Sequence, residues 1–317
     1  MKNFILFCIF AFMPLCMMSQ EKAQISQLVE KASQGDCKSQ VKLMYSYYKN
    51  KNYQDAVSWA TIIIESEKCG NEEKCKSYEL LGICAFNGQG MEESATKAFD
   101  YWSTGTTIGS HSCALQLATV CEEDERYRNY AKAWYWYVKA ADLGDKKIRK
   151  FVAEQYENPQ ATIISYNDNG TVKFRKKEYP IKEPDLEKAL YYYELYFSTG
   201  TSRITNGIWT HSVEPQSKYK VAKWYFSVDS GIQQNYDKAV SLFQDIIEVQ
   251  TNRERFFLYD GEEWLSEDQL GELYWYMSVC YRFGRGVTKN ALKALNYTKR
   301  AADLGNGEAI NLLNQKK

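Results

Sequence analysis

Two histidines, His111 and His211, are all that the chain offers for imidazole chemistry. His111 opens a helical pattern in Gly109-Ser110-His111-Ser112, where N-terminal capping surroundings account for it. His211 sits among β-prone residues with no Asp or second His beside it. Neither is paired in sequence with a nucleophile that it would activate. No His-Glu-x-x-His, no phosphate-cradling Walker loop and no Gly-x-Ser-x-Gly elbow occurs. Ser-x-x-Lys recurs at Ser39–Lys42, Ser46–Lys49, Ser94–Lys97 and Ser217–Lys220, but without the Lys-Thr-Gly that would accompany a serine acyl-transfer site. The acidic run Glu122 to Glu125 lacks the ligand spacing of a calcium loop and reads as a solvated turn. The residue types therefore point to no catalytic set, no metal and no cofactor.

Cysteine is the other chemistry-bearing residue. Nine are present, two of them (Cys8 and Cys16) in the first twenty residues, leaving seven at 37, 69, 75, 84, 113, 121 and 280. Cys37, Cys75 and Cys113 stand 38 residues apart, each near the start of a helical pattern. Cys84, Cys121 and Cys280 fall within helical patterns, where buried structural thiols are expected. An odd count leaves at least one thiol free or paired with another molecule. No Cys-x-x-Cys occurs, so zinc-ribbon and thioredoxin chemistry find no support.

The bulk composition narrows the class. Forty Lys and Arg balance forty Asp and Glu over 317 residues, which lacks the basic excess of a general nucleic-acid binder. At 44% hydrophobic, 25% charged and a mean hydropathy of −0.53 the chain reads as soluble and folded. Residues 1–19 differ: Lys2 precedes an uncharged run from Phe4 to Met18, too short for a spanning helix and suited to an export signal that ends at Ser19. Cys16 would be the first residue of a bacterial lipoprotein, but Leu15 is bulky where that motif takes a small residue. An uncleaved anchor is the other alternative. Cleaved export, to the periplasm or beyond the cell, is the expectation, with no membrane span once the leader is gone.

The elements that position everything else come from self-similarity. Lys132-Ala133 to Gly144 and Lys293-Ala294 to Gly305 each place Ala at i, small residues at i+7 and i+8, and Gly at i+11. That spacing makes one apolar helical face ended by a Gly C-cap. The frame fits anchor alanines at 56, 98, 133, 189, 239 and 294. Each anchor helix follows another helical pattern, as in Leu273–Tyr281 closed by Phe283-Gly284-Arg285-Gly286-Val287. The unit is helix, Gly turn, helix, Gly corner, and units that cannot bury their apolar faces alone must stack.

This pattern resembles the Sel-one-like repeat, a relative of the tetratricopeptide repeat, whose signature is nearly complete from Tyr281 to Gly305. Around Ala189 and Ala239 the match weakens, with Tyr196-Phe197 and Ile246-Ile247 replacing the small pair. The resemblance implies an all-α solenoid of about six antiparallel helix pairs over residues 20–317. It also implies a curved scaffold that binds protein partners without catalytic residues. Corner disulfides of cysteine-rich members imply a Cys69–Cys75 bridge across Gly70-Asn-Glu-Glu-Lys.

Three insertions stretch the repeat, near 160–182, 201–216 and 251–266. Asn169-Gly170 and Asn206-Gly207 between β-prone runs read as hairpin turns, and Asp260-Gly261 reads as a third. The first insertion separates two helices of one repeat; the other two follow anchor helices of successive repeats, so they leave the same edge and should meet. They would gather Trp209, His211, Phe256, Phe257, Tyr259 and Trp264, either as packing onto the helices or as a partner-binding edge. The function expected is a non-catalytic exported scaffold for a protein partner. The alternative is a binder of glycan or cell-wall fragments, with stacking on Trp and Tyr; a hydrolase comes behind both.

Overall fold

The structure, a computed structural model, describes residues 26–159, 163–166, 172–175, 178–200, 202–205, 208–260 and 262–315. For the first three strands, for residues 208–211 and for Glu254 it describes backbone alone. The expected leader at 1–19 lies outside the described residues. The chain divides into two compact units. The first holds residues up to Asp145 together with Glu178–Pro180; the second holds the remainder.

In the first unit a short helix α1 (26–33) precedes α2 (Cys37–Lys49), α3 (Tyr53–Glu65), α4 (Asn71–Asn87), α5 (Ala95–Thr107), α6 (His111–Glu123) and α7 (Tyr130–Asp142). The second contains α8 (Lys146–Glu157), α9 (Leu186–Ser198), α10 (Pro215–Phe226), α11 (Tyr236–Thr251), α12 (Glu267–Phe283), α13 (Ala291–Asp303) and α14 (Gly307–Asn314). From α2 to α13 the helices pack in consecutive pairs, and α14 lies on α13. The all-α, paired-helix solenoid expected from the repeat is the fold observed.

The anchor alanines explain the pairing. Ala56, Ala98, Ala133, Ala189 and Ala239 have no exposed surface and Ala294 has 4%. A methyl at each point lets the second helix approach the first closely. The facing first helix is shaped to match: a Cβ on Gly82 would fall 2.2 Å from Trp102 Nε1, so glycine makes room for the buried indole.

A second regularity lies four residues before each anchor. Asn52, Ser94, Asn129, Asp185, Asn235 and Asn290 are the N-caps of the six second helices. In the last five, the side chain accepts the backbone N–H of the Lys that precedes the anchor (Lys97, Lys132, Lys188, Lys238 and Lys293). Ser94–Lys97, one of the Ser-x-x-Lys pairs, is therefore a cap. The cap residue also donates its own N–H back to the end of the first helix. These bonds run from Ser94 to Ala85 O (2.8 Å), Asn129 to Cys121 O (2.7 Å), Asp185 to Tyr156 O (2.8 Å), Asn235 to Tyr225 O (2.9 Å) and Asn290 to Tyr281 O (2.9 Å).

The insertions add two small sheets. In the first, β1 (Ile163–Tyr166) pairs antiparallel with β2 (Val172–Arg175), setting Ile164 opposite Phe174 and Tyr166 opposite Val172. In the second, β3 (Ser202–Thr205) pairs antiparallel with β4 (Ile208–Val213). The third insertion departs from expectation. After a 3₁₀ turn at Arg253–Arg255 it forms one strand, β5 (Phe256–Leu258), which pairs parallel with β4 rather than with a return strand of its own. Glu262, four residues after β5, is buried.

The Cys69–Cys75 bridge is not formed. Cys69 is bonded to Cys37, with Cα atoms 5.5 Å apart, so the bridge ties the start of α2 to the corner before α4. Cys75 lies in the second turn of α4, and its sulfur faces the carbonyls of Gly105 (4.0 Å) and Ile108 (3.9 Å) at the end of α5. It is turned toward the next repeat, away from the corner.

Two substitutions test this account by chemical denaturation followed by helical circular dichroism. Gly286 has φ +67° and an added Cβ would meet the Tyr236 carbonyl oxygen at 2.3 Å. Gly286→Ala is expected to cost about 2 kcal/mol or more. Asn290→Ala removes only the cap and should cost about 1 kcal/mol.

Candidate partner-binding site

The N-terminal end of α8 carries Lys146, Lys147 and Lys150, and all three reach the second and third insertions. Lys146 pairs with Glu214, with 5% and 4% of the side chains exposed, and donates to Ser212 Oγ at 3.2 Å. Its ammonium lies 4.4 Å from the Tyr259 ring centroid and 5.1 Å from that of Tyr196. Lys150 Nζ is 2.9 Å from Glu262 Oε1, and Lys147 reaches Asp260 at the surface, also at 2.9 Å. The Glu262 carboxylate accepts from the Ser217 backbone N–H (3.2 Å), the Ser217 hydroxyl and Tyr196 OH (3.3 Å). Burial raises the Glu214 carboxyl above its ordinary range, a shift that Lys146 opposes.

This cluster forms the base of the three-stranded sheet. Ser212 and Glu214 end the second insertion; Tyr259 and Glu262 end the third; Tyr196 stands on α9 where the repeat calls for a small residue, and it is fully buried. The bulky replacement is thus absorbed by the aromatic and charged base beneath the sheet. Such buried pairs add little net stability, yet each partner is costly to remove because it leaves the other charge buried alone. Their effect is positional: they fix where β4 and β5 begin and end.

The expected site residues are placed unequally. His211 and Phe256 are register partners across β4 and β5, and Ser212 and Val213 pair with Phe257 and Leu258. Trp209 also lies on β4, opposite Ile204. The side chains of Trp209 and His211 lie outside the described residues. Phe256, Phe257, Tyr259 and Trp264 are half-buried. The Tyr259 ring packs edge-on to Tyr196 at 5.6 Å, and the Arg253 guanidinium lies 4.9 Å from the Trp264 ring.

A groove of about 560 Å³ opens beside this base, lined by Lys150, Glu154, Gln216, Tyr219, Lys223 and Trp224 among others. Between the helices of this unit run clamps that composition alone does not reveal. Lys220 and Tyr193 both donate to Glu157 (2.8 and 2.9 Å), Lys238 and Tyr225 to Glu194 (2.6 and 2.5 Å), and Lys223 and Tyr219 to Glu272. In each, the lysine also lies 5.0–5.3 Å from the tyrosine ring. These clamps join helices of different pairs and use three of the 25 tyrosines. Two of the three draw Tyr, Glu and Lys from three separate helices, and the third sets Tyr219 and Lys223 of α10 against Glu272 of α12, so no carboxylate is local in sequence to both of its partners.

In the first unit, Glu122 corrects the reading of a solvated acidic turn. It is 6% exposed and accepts from Tyr137 OH and from Tyr179 OH at 2.6 Å. His111 Nδ1 lies 3.2 Å from Asp145 Oδ2, which raises the imidazole above its usual pKa against the opposing effect of burial. Among the described residues no group of three His, Cys, Asp or Glu side chains could hold a metal ion, and no helix is long and apolar enough to cross a membrane.

The Sel1 repeat model matches residues 76–105, 112–145, 180–195, 215–244 and 271–306; four of these stretches fall on helix pairs described above, and 180–195 falls on α9 alone. The chain belongs to the Sel1 repeat family. The α2/α3 pair, which carries the disulfide, is outside the matched stretches, as is α8 with its three lysines. Among solved structures, one similar chain is a protective antigen of uropathogenic Escherichia coli strains with the same repeat fold: 16% identity, TM-score 0.42, covering 90% of this chain and 49% of that one. The chain therefore spans about half the length of that relative. Another is a Sel1 repeat protein from Oxalobacter formigenes, with 17% identity, a TM-score of 0.35 and 86% of each chain covered. No curated protein sequence matches significantly. Sel1 repeat proteins are generally protein-interaction scaffolds and typically non-catalytic.

Two measurements test the electrostatics. Lys146→Met should destabilise the protein by about 3–5 kcal/mol in urea unfolding, and adding Glu214→Leu should recover most of that loss. His111 should titrate above its ordinary value of about 6.5 by NMR, and Asp145→Asn should lower its midpoint. Because the folded pKa is the raised one, the stabilisation from this pair is full below about pH 6.5 and is lost as pH rises through the folded value.

Proposed function

We propose that this Sel1 repeat protein is an exported, non-catalytic adaptor that holds a protein partner at the edge where its second and third insertions meet. The observation that carries the reading is the parallel pairing of β4 with β5. Two segments separated by α10 and α11 are brought into one sheet, with charged pairs from α8 set beneath it. Insertions that decorate a repeat scaffold are the usual place for recognition, because the helices beneath are occupied with stacking. Trp209, His211, Phe256, Phe257, Tyr259 and Trp264 are the residues assigned to the partner. Aromatic side chains at the sheet would fill pockets on the partner, and the charged rim would set its orientation.

Export is supported by the charged and apolar pattern of residues 1–19 and by the Cys37–Cys69 disulfide, a bond that persists in oxidising compartments. The soluble periplasm or the cell exterior is the assigned location.

In-cell crosslinking of the tagged protein, with mass spectrometry of its partners and its N-terminus, tests both statements. A mature chain beginning at Gln20 and a specific protein crosslinked through residues 200–216 or 251–268 are the expected results. Trp209→Ala with Trp264→Ala should abolish that capture without changing helicity. Intact Met1 in the mature protein would refute export. Tryptophan fluorescence that responds to saccharides, with no captured protein, would instead establish the glycan-binding alternative.

A further inference from the structure

Once Cys37 and Cys69 are joined, five thiols remain among the described residues: Cys75, Cys84, Cys113, Cys121 and Cys280. Cys84, Cys121 and Cys280 are buried on helices α4, α6 and α12. Cys75 and Cys113 differ, because they face the same point between successive repeats. The Cys113 sulfur lies 3.9 Å from the backbone oxygen of Cys75, across from α6 to α4. The Cys75 sulfur is 4.0 Å from the Gly105 oxygen, and a Cβ added to Gly105 would fall 2.4 Å from the Cys113 sulfur. Gly105 therefore stands beside both sulfurs, and its missing side chain leaves the space that the Cys113 sulfur occupies.

We propose that Cys75 and Cys113 form a second, redox-dependent disulfide that fastens α4 to α6. The first bridge provides the precedent on this chain, since Cys37–Cys69 also joins segments of successive repeats, 32 residues apart. The spacing of 38 that runs through Cys37, Cys75 and Cys113 places these thiols near the starts of consecutive first helices. A bridge between the latter two would continue the fastening of the first unit by one repeat.

The reaction is thiol–disulfide exchange with a disulfide oxidant, a small molecule or a protein. Cys75, the more exposed thiol, loses its proton and its thiolate attacks one sulfur of the oxidant; the oxidant's other sulfur departs as a thiolate, and the attacked half stays on Cys75 as a mixed disulfide. The Cys113 thiolate then attacks the Cys75 sulfur and expels the second half of the oxidant. Two protein thiols have lost two protons and two electrons, and the oxidant's disulfide has become two thiols. Burial pushes the Cys113 thiol up to about 12, so closure should be slow near neutrality and faster as pH rises.

The test needs no assumption about export or partner. The full chain is reduced, equilibrated in a glutathione and glutathione-disulfide buffer until Cys37–Cys69 has formed, alkylated, and mapped by proteolysis without reductant. The expected result is a linked Cys75–Cys113 peptide, loss of Cys75 alkylation, and a higher thermal midpoint than in the Cys75→Ser variant. That variant removes a partly exposed sulfur and should keep wild-type helicity and the Cys37–Cys69 bridge. Full alkylation of Cys75 while Cys37–Cys69 is intact would overturn the proposal. So would a Cys75 disulfide that links two copies of the chain or stops at a stable glutathione adduct.

Discussion

Five of the six repeats, from the second onward, each depend on one short polar residue that faces two ways. Its side chain accepts an N–H at the start of the second helix, and its own N–H returns to a carbonyl at the end of the first. The first four N–H groups of a helix and the last carbonyls lack internal partners, so a single residue that serves one of each fixes where one helix stops and the next starts. The anchor alanine, four residues later, is then already aimed at its partner helix. This geometry also explains how the first insertion is tolerated. Between Tyr156 and Asp185 the chain leaves for a hairpin, yet the bond closing the helix pair is the same as in the uninterrupted repeats. Because the junction is pinned at its ends, the intervening chain is free to lengthen, and loop closure grows only slowly more costly with length.

The second and third insertions use a different means of attachment. Their ends are drawn by buried carboxylates onto lysines of α8, and the parallel pairing of β4 with β5 follows. Charge in the interior is costly, so the arrangement persists only with its full set of partners: Ser212, Ser217, Tyr196 and the two lysines. The same chemistry recurs in milder form in the Tyr-Glu-Lys clamps, where an amphipathic ring gives a lysine an apolar face and a hydroxyl at once. A neutral chain rich in tyrosine can hold successive helices with these clamps while its apolar contacts stay small and close.

How much of this could be read beforehand differs by kind. The anchor alanines, the Gly-x-Gly turns and the helix pairs are repeated, so one well-formed copy at Tyr281–Gly305 identified the others. The cap residues were equally repeated, at a constant four residues before the anchor, and a comparison extended that far upstream would have shown them. Asn-Gly marked two hairpins because the turn itself requires those residues. Asp260-Gly261 carried the same signal, but β5 found its partner in another insertion, and no dipeptide records that. The disulfide failed for a similar reason: Cys69 and Cys75 are close in sequence, but helical phase turns Cys75 toward the following repeat, while Cys37 comes to Cys69 from the preceding one.

The sequence by itself determined the repeat, its helix boundaries and the places where it is interrupted, since those rest on local hydrogen bonds, backbone preferences and a 3.6-residue period. Only the tertiary structure decided which cysteine Cys69 joins, that Glu122, Glu214 and Glu262 are buried, and that two insertions share a sheet. Those outcomes depend on pairs of groups 15 to 112 residues apart. Their distances are set by stacked helices, and desolvation then selects the few charged groups that find partners inside.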